Sequence, residues 1–217
     1  MIKTKRLKIS LLEEEHLEDL RKMRNDPTTN HWLTDITPIS KEAQKEWFKK
    51  IQLDKSKMYL VIEKPHKENI VGITMPTNSS TLFSFFFKTL FSKTPDDFVG
   101  ILRSDKWDRI NRSVRIGIDI ASKYRGQGYG TEAFGAFIEY LFKQQNINRV
   151  WFLVAEKNKV AQKLYKKLGF KQEGKQREAL FRDGKYHSYL MFSMLKKEWS
   201  SYATSFIKAT RSKKRNE

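Results

Sequence analysis

Cysteine is absent from this chain of 217 residues. Disulfides, thiolate metal sites and a cysteine nucleophile are therefore excluded. Histidine is scarce, and His16, His31, His66 and His187 show no metal-ligand spacing, so no metal is expected. No apolar run is long and uncharged enough to span a bilayer. The start, Met1-Ile2-Lys3-Thr4-Lys5-Arg6, lacks the apolar core of a signal peptide, and the chain reads as cytoplasmic from Met1. Acidic side chains are in deficit, 25 against 43 lysines and arginines, which leaves a net charge of +18. Such a field attracts polyanions such as RNA, ribosomes and nucleotides. The lysines are nevertheless spread along the whole chain and not gathered in one stripe, which also fits a plain solvated surface. With 39% hydrophobic residues the chain can build a core, so wholesale disorder is excluded.

Periodicity then gives a mixed α/β order. Residues Thr4 to Leu11 alternate, with Leu7, Ile9 and Leu11 on one face of an expected strand. Glu13 to Arg24 carries Leu17, Leu20 and Met23 (or Arg24) on a helical stripe, stopped by Asn25-Asp26-Pro27. Ser40 opens a second helix with Trp47, Phe48 and Ile51 on its apolar side, and Met58 to Glu63 reads as a strand. An aromatic-rich insertion follows at about 69–97, including Phe83, Phe86, Phe87, Leu90 and Phe91 at helical spacing. The apolar tetrads Ile70 to Ile73 and Phe98 to Ile101 bracket it. Phe98 to Ser104 is taken as the next core strand, because a short turn links it to the strand Arg112 to Ile120. Beyond a glycine-rich loop come a helix from near Thr131, a strand Arg149 to Ala155, and a helix Lys159 to Leu168 stopped by Gly169. A strand from Phe170 turns at Arg182-Asp183-Gly184-Lys185 into the strand Tyr186 to Met194. Residues 1–198 read as one domain, and residues 199–217 as a basic extension that starts with an amphipathic helix.

The loop is Arg125-Gly126-Gln127-Gly128-Tyr129-Gly130. A glycine-rich turn between a strand and a helix offers backbone N–H groups and a helix N-terminus to an anion. It lacks the Gly-Lys-Ser/Thr ending of nucleotide triphosphatases, and it does not open a dinucleotide-binding βαβ unit. Its surroundings are specific. Asn111-Arg112-Ser113-Val114-Arg115-Ile116-Gly117-Ile118-Asp119-Ile120, then Tyr124 to Ala133, resembles the acetyl-CoA motif of the GNAT N-acetyltransferases, in particular the ribosomal-protein branch. A later stretch agrees: Val154, Asn158, Ala161, Tyr165 and Leu168-Gly169-Phe170 match the family's second motif in order and spacing.

The resemblance implies a GNAT fold, a mixed and mainly antiparallel sheet flanked by helices, with acetyl-CoA as acyl donor. Main-chain groups of Ile118, Asp119 and Ile120 would meet the pantetheine arm where two strands splay apart. The N–H groups of Arg125, Gly126, Gln127, Gly128, Tyr129, Gly130 and Thr131 would hold the pyrophosphate. Asn158 would hydrogen-bond the cofactor, and Tyr165 would protonate the departing thiolate. With no cysteine, the acetyl group would pass directly to the amine. Many relatives carry a glutamate two residues before the strand's glycine. Arg115 stands there in this chain and cannot act as a base. Glu156 and Asp119 are the substitute bases.

The acceptor is an amine on a protein N-terminus, on a nucleotide-linked amino sugar or on a small metabolite. The insertion is expected to wall the acceptor site, to form a homodimer interface, simply to cover the domain's flank or, with Lys88 and Lys93 flanking its aromatics, to bind a membrane surface. The rival reading is a non-catalytic basic adaptor that binds RNA or a protein partner. Retention of Asn158 and Tyr165 speaks against it.

Overall fold

The computed structural model describes residues 1–33, 35–65 and 98–199. Its frame is an eight-stranded sheet in the order β1-β2-β3-β4-β5-β6-β8-β7. The strands are β1 (Ile2–Lys3), β2 (Lys8–Leu11), β3 (Met58–Glu63), β4 (Phe98–Asp108), β5 (Ser113–Ile120), β6 (Arg149–Ala155), β7 (Lys171–Arg182) and β8 (Lys185–Leu195). Every neighbouring pair is antiparallel except β5 with β6. The helices are α1 (Leu17–Asn25), α2 (Pro27–Asn30), α3 (Lys41–Leu53), α4 (Tyr129–Gln144) and α5 (Lys159–Lys167).

Two apolar layers follow from the period of two along the strands. On one face, Leu60, Ile62, Val114 and Ile116 meet Phe134, Phe137, Ile138 and Leu141 of α4. All four α4 residues are fully buried, each worth roughly 1.5–3 kcal/mol relative to exposure. On the other face, Val61, Phe98 and Ile101 meet Leu17, Leu20 and Met23 of α1 and Phe48 of α3. Ser40 caps α3 by accepting the Ala43 N–H at 3.1 Å, as the sequence anticipates. Asp183 and Gly184 both take positive φ, 51° and 72°, which gives the tight hairpin expected between β7 and β8.

Local differences from the sequence reading have identifiable causes. The first strand is split, and Leu11 is 62% exposed while Leu12 is buried among the α1 residues. The alternation ends where the chain turns into a 3₁₀ segment at Glu14–His16. Helix α4 begins at Tyr129 and not near Thr131, because Gly128 adopts a left-handed φ of 82° and serves as its N-cap. The insertion, with the tetrad Ile70 to Ile73, lies almost wholly outside the described residues. So does the tail beyond Trp199, whose ring is buried against α4 near Gly135. Among the described residues no helix is long and apolar enough to cross a membrane, and no His/Asp/Glu cluster could hold a metal ion.

Candidate active site

The site begins where the sheet divides. Strands β5 and β6 pair only through Ser113 with Arg149, Val114 with Val150 and Arg115 with Trp151. Beyond that point β5 stays on β4 as far as Ile120 opposite Gly100, while β6 stays on β8 as far as Ala155 opposite Tyr189. The backbone from Ile116 to Ile120 therefore faces an open wedge on its β6 side. Ile118 and Ile120 are half-buried there, unlike the buried Val114 and Ile116. Gly100 permits the close β4–β5 approach, since a Cβ at that position would lie 2.2 Å from the Asp119 carbonyl oxygen.

The glycine-rich loop closes one end of the wedge. The N–H groups from Gly126 to Thr131 make no hydrogen bond among the described residues. The first bond of α4 is Glu132 N–H to the Gly128 carbonyl, 3.1 Å. A row of free donors thus sits at the positive end of a 16-residue helix, which is how proteins hold phosphate anions. Gly126 has open space around its missing side chain, and a Cβ at Gly130 would touch Leu164 and Ile120 at 3.4 and 3.6 Å.

Arg125 occupies a different role from the rest of the loop. Its N–H bonds the Ser122 carbonyl at 3.2 Å. Its guanidinium donates to the Ile120 carbonyl at 2.9 Å, and to both Thr28 and Thr29 of α2. It braces the loop against α2 and leaves only its charge to an anion. A second brace was invisible in the sequence. Arg6 donates to Glu132 at 2.7 Å and to the Gln127 carbonyl at 3.0 Å, and lies 4.5 Å over the Tyr129 ring. Burial pushes the Glu132 carboxyl up, but hydrogen bonds from Thr4 and Arg6 outweigh it and hold the group below its usual range. Lys64 and Lys123 add positive charge, each 5.0 Å from the Tyr124 ring.

Tyr165 points into the same region from α5. The Leu168-Gly169-Phe170 motif ends that helix: Gly169 takes φ 86°, its N–H bonds the Lys166 carbonyl, and the Phe170 N–H returns to the Tyr165 carbonyl at 3.1 Å. The motif thereby fixes the residue that carries the hydroxyl. The Tyr165 ring stacks into Phe134, Phe152, Phe170 and Phe192, with Phe152 at 4.0 Å. The hydroxyl makes no hydrogen bond among the described residues and is not sealed from solvent. Burial raises the phenol well above its ordinary range, the Asp119 charge raises it further, and Arg103 opposes both.

Asp119 is ion-paired with Arg103, whose guanidinium lies over the bare backbone of Gly117. Arg115, at the position of the missing glutamate, is held by Asp105 through bonds of 2.6 and 2.5 Å. Glu156 stands apart at the end of β6. Lys175 holds its carboxyl below the usual range through a bond of 2.8 Å. Asn158 caps α5, its Oδ1 accepting the Ala161 N–H at 3.0 Å, and its Nδ2 makes no bond to a described residue.

On the α1 side of the sheet, a cavity of about 220 Å³ is lined by Arg103 and Asp119 together with Leu20, Trp47, Tyr59, Arg24 and Asp35. A larger depression of about 330 Å³ lies between α1 and Ala121–Lys123. The smaller cavity is lined by Arg103 and Asp119, the two charged groups that act on Tyr165.

Comparison with known proteins agrees with this geometry. The family profile described as Acetyltransferase (GNAT) domain matches residues 6–171. A putative ribosomal N-acetyltransferase, YdaF, of Bacillus subtilis is 34% identical over 100 residues, 46% of this chain and 55% of its own length. The ribosomal protein uS5-alanine N-acetyltransferase of Escherichia coli is 26% identical over 118 residues, 54% of this chain and 61% of its own. The chain thus spans little more than half the length of these curated relatives. A crystal structure of spermidine N-acetyltransferase from Vibrio cholerae with CoA and spermine superposes with a TM-score of 0.72 at 19% identity, covering 90% of this chain and 99% of that one.

Proposed function

Because the chain belongs to the GNAT acetyltransferase family, we propose that it transfers an acetyl group from acetyl-CoA directly to a primary amine. The observation that carries this reading is the wedge between β5 and β6 with free N–H donors at its end. The pantetheine arm would pair with the main chain of Ile118, Asp119 and Ile120. Gly126 to Thr131 would bind the pyrophosphate, with Arg6 and Arg125 holding the loop. Asn158, through its unused Nδ2, would reach the cofactor where α5 begins.

The amine enters through the cavity lined by Arg103 and Asp119. It must first lose a proton, and an α-amino group titrates near ~8 against ~10.4 for a lysine-type amine. Asp119 lines that cavity, whereas Glu156 lies on the exposed far side of β6 with Lys175. The nitrogen attacks the thioester carbon, the C–N bond forms as the C–S bond breaks, and the electron pair leaves on sulfur. Tyr165 meets that sulfur. A thiol titrates near ~8.5, so a phenol raised by burial stays protonated and donates a hydrogen bond to the developing thiolate. The thiolate takes its final proton from solvent or through this donor.

A protein N-terminus and a polyamine are the acceptors that the relatives suggest. The experiment is to follow CoA release with purified protein and a panel of amines, paired with calorimetry of acetyl-CoA. Amine-dependent CoA release is the expected result; cofactor binding without transfer to any amine would favour the adaptor reading.

A further inference from the structure

The charges around the acceptor cavity divide into two groups. Arg103 is spent on Asp119 and Arg115 on Asp105. Arg24 and Asp35 are different. Arg24, on α1, makes no hydrogen bond or ion pair among the described residues, although it is half-buried. Asp35 accepts the Thr37 N–H at 2.9 Å and has no cation within ion-pair distance among the described residues. A half-buried guanidinium without a counter-ion is costly, since water is partly removed and nothing replaces it. Burial lowers the Arg24 pKa, Asp119 and Asp35 pull it back, and Arg103 pushes it down again.

We propose that the acceptor carries an oxyanion, carboxylate or phosphate, close to the amine that is acetylated, and that Arg24 receives this oxyanion. The proposal rests on the acetyltransferase reading and adds the acceptor's chemical class. Arginine suits the task because its planar fork matches two oxygens of a carboxylate or phosphate. Asp35, lining the same cavity, faces the entering ammonium. The cavity therefore offers one unspent charge of each sign, the complement of a zwitterion. A polyamine presents only cations, and its second ammonium would lie against Arg24.

The test uses amines matched except for the anion. The pairs are an α-amino acid and its carboxamide, glucosamine 6-phosphate and glucosamine, and peptides with glutamate or glutamine after the N-terminal residue. Spermidine is the polycation. Binding to the CoA-loaded protein is measured by calorimetry, and kcat/KM with acetyl-CoA. The expected result is that the anionic member of at least one pair wins by about tenfold or more, through KM, as one charge-assisted contact allows. Arg24→Gln should close that gap, and Arg24→Lys should keep part of it. The wild-type ranking stands whether or not the variants fold, and the winning pair tells carboxylate from phosphate. Equal binding and turnover within every pair, preference for spermidine, or a gap that survives Arg24→Gln would overturn the assignment while leaving acetyl transfer intact. Failure to bind acetyl-CoA at all would overturn both.

Discussion

The two halves of the proposed site, one for the cofactor and one for the acceptor, are built from different materials. The cofactor half is mostly main chain: one edge of β5 and the donors from Gly126 to Thr131, contiguous in sequence. The acceptor half is side chains from distant segments, with Arg24 from α1, Asp35 from the following loop, Trp47 from α3, Tyr59 from β3 and Arg103 from β4. Main-chain recognition demands particular backbone angles, and those restrict residue type, as at Gly128. Side-chain recognition demands only that the fold bring the tips together, so almost any spacing along the chain will serve.

The most damaging change is therefore expected in the cofactor half. Gly128→Asp forces φ 82° on a residue that disfavours it and places a carboxylate beside Arg6 and the free N–H groups. Acetyl-CoA affinity should fall by about a hundredfold or more, since the new anion competes with the pyrophosphate. Calorimetry on the folded variant checks this, and wild-type affinity would remove the loop from the site. Next is Tyr165→Phe, which keeps the ring packed in the phenylalanine cluster and removes the donor. Turnover should drop about a hundredfold with cofactor affinity unchanged. An unchanged rate would reduce Tyr165 to a core residue.

The pH profile sharpens the same point. Burial favours the neutral phenol, so its donor form persists at and above pH ~10, where an ordinary tyrosine begins to ionise. The rate should rise with pH as the amine loses its proton and show no fall near pH ~10 before the fold itself is lost. A descending limb near pH ~10 in wild type that vanishes in Tyr165→Phe would show an ordinary, exposed phenol. Smaller still is Arg6→Ala, which loosens the loop from outside. Since Arg6 is exposed and its ion pair with Glu132 is screened, acetyl-CoA should bind only about three- to tenfold more weakly. A last contrast is between the carboxylates: Asp119→Asn should lower kcat by about threefold, and Glu156→Gln by less than about twofold. Equal effects would place the proton acceptor elsewhere.

The same division explains what was legible. The β5–loop–α4 unit, the start of α5 at Lys159 and the turn at Gly169-Phe170 were all readable, because each rests on local geometry. So were the apolar stripes of α1 and α4. Arg6 was not: its partners Gln127 and Glu132 lie more than a hundred residues away, and nothing near Arg6 marks it. Arg24 was read as an alternative member of an apolar helix stripe, and its place in the cavity lining depends on a sheet that sequence periodicity does not position. Arg125 carries its motif correctly but turns its guanidinium to α2, which only the tertiary packing reveals.

The three-rung contact between β5 and β6 also bears on motion. Among the described residues it is the only strand pairing between the β1–β5 and β6–β8 parts of the sheet. A pantetheine arm laid along Ile116 to Ile120 would act as a substitute strand, supplying partners on both sides of the gap. Amide hydrogens there and in the loop should exchange fast in the free protein and slowly in the loaded one. At a ligand concentration of about a hundred times Kd, the fold would gain about 2.7 kcal/mol. The protein's resistance to heat and proteolysis should then follow the cell's supply of acetyl-CoA.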